Sequence, residues 1–148
     1  MLQTGDAVPP VLLVDERGAP VELSGLLDRP TVLYFYPKDD TPGCTAEACK
    51  FRDDYEDFTA AGAQVIGVSS DDAATHARFK ERHRLPFRLF SDPGGAARAA
   101  FGIPKTLGIL PGRATFVIVD GRIVYAFNAQ FAPEQHVRRA LAALRHPA

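Results

Sequence analysis

Alternating strand-like and helix-like segments predict an α/β fold with one central sheet. Three observations carry this. The runs Thr31–Tyr36 and Gln64–Ser69 are continuous and apolar, as strands buried on both faces are. Segments with helix start and stop signals separate the strand-like runs. Late in the chain, Asp120-Gly121 sits between two apolar runs, a strong two-residue hairpin signal. Together they predict a mixed sheet, mostly parallel with an antiparallel edge, flanked by helices.

The elements follow in order. Val11–Val14 and Val21–Leu23 form an N-terminal hairpin around Glu16–Ala19. Thr31–Tyr36 is a central strand stopped by Pro37. Pro42 to Ala61 reads as one helix ending at Gly62, and Gln64–Ser69 as the next buried strand. The cluster Ser70-Asp71-Asp72 starts a helix that runs to His83. Phe87–Phe90 is a short strand and Gly95–Phe101 a short helix closed by Gly102. Thr115–Val119 and Arg122–Phe127 flank the hairpin turn, and Pro133–Leu144 is a terminal helix with Pro133 in its first turn. No repeat or low-complexity linker interrupts the pattern, so residues 1–148 read as a single domain.

Composition narrows the function. The chain has 148 residues, 46% hydrophobic and 24% charged, an ordinary globular balance. A net charge of -1 gives no footprint for nucleic acid or an anionic membrane. No segment reads as a signal peptide or a membrane span, which places the chain in the cytoplasm, where thiols stay reduced. Two cysteines, Cys44 and Cys49, are too few for a disulfide scaffold or a four-cysteine zinc site.

The cysteine pair is the informative feature. Thr41 is a natural N-cap and Pro42 suits the first helical position, so Cys44 falls in the first turn. The free N–H groups and positive dipole end there favour a thiolate. Five helical residues separate Cys44 from Cys49, a rise of about 7.5 Å and a Cα separation of roughly 8–9 Å. A disulfide needs less than about 7 Å, so the pair bridges only if the helix unwinds. Glu47 lies three residues after Cys44 on a similar face, either holding an arginine or exposed near the helix start. Asp39 and Asp40 read as solvated loop residues. His76 and His83 read as part of a solvated basic helix face rather than a metal site.

The string Pro37-x-x-x-Thr41-x-x-Cys44 resembles the active-site motif of the peroxiredoxins. The longer FYPKDDTPGCTAEAC is similar to the Q-type subgroup, also called bacterioferritin comigratory proteins. LPGRATFVIVDGRIVYAFNAQF and PEQHV look like the C-terminal half of plant and cyanobacterial members. The resemblance implies a thioredoxin-like fold and a thiol peroxidase acting on hydrogen peroxide and organic hydroperoxides. It makes Cys44 the peroxidatic cysteine and Cys49 the resolving one. Thr41 would offer its hydroxyl to the thiolate and the peroxide, besides capping the helix. Pro37 would shield the pocket, and Arg113 would stabilise the thiolate and orient the peroxide. It further implies a monomer, thioredoxin or a similar dithiol as reductant, and no metal or organic cofactor. Two other classes compete: a thiol–disulfide oxidoreductase, disfavoured by the missing C-x-x-C, and a non-enzymatic binding or holdase module.

Overall fold

The computed structural model describes residues 1–105, 108, 111–130 and 132–145. Seven strands form one sheet in the order β2-β1-β5-β4-β3-β6-β7. They are β1 (Leu12–Val14), β2 (Pro20–Glu22), β3 (Thr31–Phe35), β4 (Gln64–Ser69), β5 (Arg88–Ser91), β6 (Ala114–Val119) and β7 (Arg122–Asn128). The helices are α1 (Pro42–Asp53), α2 (Tyr55–Ala60), α3 (Ala73–His83), α4 (Ala96–Ala100) and α5 (Pro133–Arg145).

Every residue of β3 is buried, as its apolar run predicts. Its side chains alternate between two cores. Val32, Tyr34 and Tyr36 face a core shared with α1, α2, α3 and α5. Leu33 and Phe35 face a second core built from α4, the N-terminal hairpin and the turn Leu23–Leu26. The sheet is therefore covered on both sides, and Cys44 belongs to the first core.

Two expectations need correction. The sheet is mixed but not mostly parallel. Only β3/β4 and β4/β5 are parallel; β1/β2, β1/β5, β3/β6 and β6/β7 are antiparallel. A parallel pair needs a crossover, and only the neighbours β3/β4 and β4/β5 are joined by one; α4 links β5 to β6, which crosses the sheet to pair antiparallel with β3. The helix expected over Pro42–Ala61 is broken in two at Asp54, whose φ of -97° and ψ of 9° leave the helical region. No Gly or Pro marks that break; its only sequence trace is the poor helix former pair Asp53-Asp54.

Elsewhere the local chemistry works as read. Asp72 caps α3 by accepting the Thr75 N–H at 2.8 Å. Asp120 and Gly121 both have positive φ, 53° and 73°, as a primed turn requires. Pairing of β6 against β3 sets Ala114 opposite Phe35. That register brings the residue before β6, Arg113, to the end of β3 where the cysteine helix begins.

Candidate active site

The chain leaves the sheet just after Tyr36, whose N–H still bonds the Val68 carbonyl at 3.0 Å. Pro37 follows in the loop, half-buried, and Thr41 has extended backbone ahead of α1. The first bond of the helix runs from the Thr45 N–H to the Thr41 carbonyl, 2.8 Å. The Gly43 and Cys44 N–H groups therefore lie ahead of the ladder, with the dipole's positive end. Cys44 sits there, 1% exposed and unbonded to any other cysteine.

Thr41 occupies the N-cap position without capping. Its hydroxyl donates to the Lys38 carbonyl at 2.8 Å, and no side-chain cap bond is made. The hydroxyl closes the preceding turn instead, leaving the Gly43 and Cys44 N–H groups that a cap would serve to the thiol site. No Thr41–Cys44 hydrogen bond appears among the described residues.

Arg113 is the centre of the site and only 3% exposed. One terminal nitrogen donates to Cys44 Sγ at 3.4 Å, the other to Glu47 Oε1 at 2.5 Å, and Nε donates to the Gln130 carbonyl at 3.3 Å. Gly43 leaves room for this guanidinium, since a Cβ there would stand 3.1 Å from it. Glu47 is the arginine holder, not a surface carboxylate: it is fully buried. Burial pushes its carboxyl up to about 8, against the downward pull of Arg113. The Arg113 contact opposes that rise without cancelling it.

His136 of α5 stands behind Glu47, its Nδ1 3.8 Å from Oε2. Its Nε2–H donates to the Ala129 carbonyl at 2.7 Å, and Nδ1 accepts from the Thr115 hydroxyl at 2.8 Å. Both nitrogens are satisfied in this way with the ring neutral. Burial lowers its pKa to about 4 from 6.5, helped by Arg113 and Arg139 and opposed by the bond to Ala129. An unfolded chain binds a proton on this histidine below pH 6.5 while the folded one does not until about 4. Stability tied to His136 is thus full above 6.5 and lost as pH falls, by about 2 kcal/mol between pH 7 and pH 5. Urea unfolding at both pH values is expected to show that loss, and His136→Gln to shrink it. An unchanged pH difference in the variant would contradict the neutral buried ring.

The loop ahead of the helix is anchored by groups the sequence reading placed in solvent. Asp39 is buried, not solvated, and only Asp40 is exposed. The Asp39 carboxylate accepts from the Tyr36 hydroxyl at 2.5 Å and from His76 Nδ1 at 2.6 Å. Its N–H donates to Asp71, which also accepts from the Ser69 hydroxyl. His76 is likewise buried, and its Nε2 faces the Phe90 carbonyl at 3.1 Å. The His76 nitrogens thus bridge the Asp39 carboxylate and the Phe90 carbonyl. Asp39, Asp71 and His76 bring ligand-type atoms within 4.8 Å of one another, but those atoms already serve this network. Its partners lie up to 37 residues apart, so no local pattern announces it.

Cys49 lies half-buried on the same α1, five residues from Cys44. With α1 continuous from Pro42 to Asp53, the pair cannot bridge in this conformation.

Known proteins match this arrangement. The model of the AhpC/TSA family matches residues 4–126. Peroxiredoxin Q, chloroplastic, of Oryza sativa subsp. japonica is 50% identical over 95% of this chain; the chain spans 66% of that relative's length. Among solved structures, peroxidoxin BcpB of Mycobacterium tuberculosis superposes with a TM-score of 0.88 at 41% identity, covering 98% of this chain and 97% of that one. The bacterioferritin comigratory protein of Xanthomonas campestris, described for alkyl peroxide reduction, superposes at 0.82 with 32% identity, covering 95% and 98%. The fold is thus the thioredoxin-like one that the resemblance implies. The chain belongs to the AhpC/TSA family, in its peroxiredoxin Q branch.

Proposed function

We propose that this protein is a thiol-dependent peroxidase using Cys44 as nucleophile and Cys49 as resolving cysteine. The observation that carries the reading is the buried Arg113 guanidinium, 3.4 Å from Cys44 Sγ at a helix start. A cation, a dipole and free N–H groups all favour the thiolate there. The same donors suit the charge that develops on a peroxide's oxygens as its O–O bond stretches.

The Cys44 thiolate attacks one peroxide oxygen. An S–O bond forms, the O–O bond breaks, and the departing hydroxide or alkoxide takes up a proton as water or alcohol. Cys44 is oxidised to a sulfenic acid. The start of α1 then opens, and the Cys49 thiolate attacks the Cys44 sulfur. The disulfide forms, and hydroxide leaves and is protonated to water. A dithiol such as thioredoxin reduces the disulfide by exchange. On this reading the Thr41 hydroxyl, held by the Lys38 carbonyl in this conformation, turns to the incoming peroxide, and Pro37 shields the thiol from water. Both cysteines lie on α1, so the cycle can run within one subunit, as a monomer with a single domain over residues 1–148. Among the described residues no helix is long and apolar enough to cross a membrane. A thiol-reducing compartment such as the cytoplasm suits the cycle.

The test is peroxide consumption with thioredoxin, its reductase and NADPH, beside insulin reduction without peroxide. Peroxide-dependent NADPH oxidation with no insulin reduction is expected. Insulin reduction alone would instead support a thiol–disulfide oxidoreductase, and neither activity would leave a binding module.

A further inference from the structure

A second arginine stands behind the site. Arg98 lies on α4, whose start is fixed by Asp92: its carboxylate accepts the Ala97 and Arg98 N–H groups, each at 2.9 Å. The Arg98 guanidinium reaches across two segments. It donates to the Tyr36 carbonyl at 3.1 Å and to the Gly112 carbonyl. Tyr36 immediately precedes Pro37, and Gly112 immediately precedes Arg113. Gly112 is itself seated tightly, since a Cβ there would fall 2.2 Å from the Pro104 carbonyl oxygen. One side chain therefore ties together the loop that leads to Cys44 and the residue that carries Arg113.

Charge adds a second argument. Arg113 is matched by Glu47 at 2.5 Å. Arg98 bonds only backbone carbonyls and forms no ion pair among the described residues. Cys44 and Arg113 both lie within its electrostatic reach. Arg113 from just ahead of β6, Glu47 from α1, Tyr34 from β3 and Arg98 from α4 share this environment with Cys44; Asp39, Asp92 and His136 stand behind them. Arg98 is half-buried, and its field is shared between the buried Asp92 carboxylate and Cys44, so a Cys44 thiolate gains from the part that Asp92 does not take.

We propose that Arg98 is a positioning residue of the thiol site, holding the Tyr36 and Gly112 carbonyls together and supplying the positive charge that Arg113, matched by Glu47, does not. The role rests on Cys44 being the reacting thiol. It predicts that charge and fork geometry can be separated. Arg98→Gln loses both, and the Cys44 ionisation midpoint is expected to rise by about one pH unit. Its peroxide rate constant falls about tenfold below both midpoints, and the deficit narrows as pH rises past them. Arg98→Lys keeps the charge but not the fork; its midpoint stays within about half a unit of wild type, while the peroxide rate still falls.

The experiment measures iodoacetamide alkylation of Cys44 against pH in a Cys49→Ser background, with circular dichroism as the fold control. Alkylation needs no peroxide, so a failure of the peroxidase reading shows separately, as a wild-type protein that does not consume peroxide. An unshifted midpoint in a folded Arg98→Gln, with a peroxide rate deficit independent of pH, would reduce Arg98 to packing. If Arg98→Gln does not fold, Arg98→Lys decides: a midpoint raised by more than about half a unit would overturn the role of the charge.

Discussion

Replacing Cys44 by serine is expected to lower peroxide consumption at least about 10³-fold while leaving the fold intact. The substitution exchanges one sulfur for one oxygen in a buried position beside Arg113. The hydroxyl can still accept from the guanidinium, so the Arg113–Glu47 pair keeps its surroundings. What is lost is the nucleophile: a serine hydroxyl does not ionise near neutral pH, and no base placed to take its proton adjoins it among the described residues. Steady-state peroxide consumption, with circular dichroism and a melting curve alongside, measures both halves. Retained activity would move the chemistry away from Cys44 altogether.

Removing Arg113 is expected to harm stability and activity together. Arg113→Met strips the one hydrogen-bonded partner, among the described residues, from a carboxylate with no exposed surface. Breaking one side of such a buried pair typically costs about 3–5 kcal/mol. It also removes the donor on Cys44 Sγ, with an expected activity loss of about 10²- to 10³-fold. The two losses separate in the double variant. Glu47→Gln with Arg113→Met removes both members of the pair, so most of the stability should return while activity stays low. Urea unfolding of the four proteins gives the coupling energy, expected above about 1 kcal/mol. Simple additivity of the two substitutions would contradict the buried pair.

The contrast between Arg113 and His76 shows what a sequence can reveal of such a site. The strand runs, the caps and the Asp120-Gly121 turn are local events, written in neighbouring residues, and they come out of the chain almost as read. Cys44 at a helix start is equally local, and so is the conclusion that Cys49 cannot reach it. Arg113 is different: only a family resemblance singles it out, because its place depends on β6 pairing with β3 across some 80 residues of chain. Glu47 has two readings in the sequence for the same reason, since nothing nearby says what covers it. Asp39 and His76 were misread outright. Their charges belong on a solvated surface unless paired, and their pairing joins a loop to a helix 37 residues away. Arg98 and His136 had no signal at all: one among many arginines, the other a lone histidine near a helix start. The mixed sheet was misjudged where β6 crosses the sheet to pair antiparallel with β3, and α1 where Asp54 breaks it without a glycine or proline.

The central claim is that one buried thiol is oxidised by peroxide and then captured by a second that the intact helix holds out of reach. Intact-mass measurement after one equivalent of hydrogen peroxide tests it most directly, on wild type and on Cys49→Ser. The account predicts that wild type loses two hydrogens, with the disulfide mapped to Cys44 and Cys49, and that Cys49→Ser gains one oxygen on Cys44. A wild-type protein that gains oxygen without losing hydrogen, or a Cys49→Ser protein left unmodified, would contradict it.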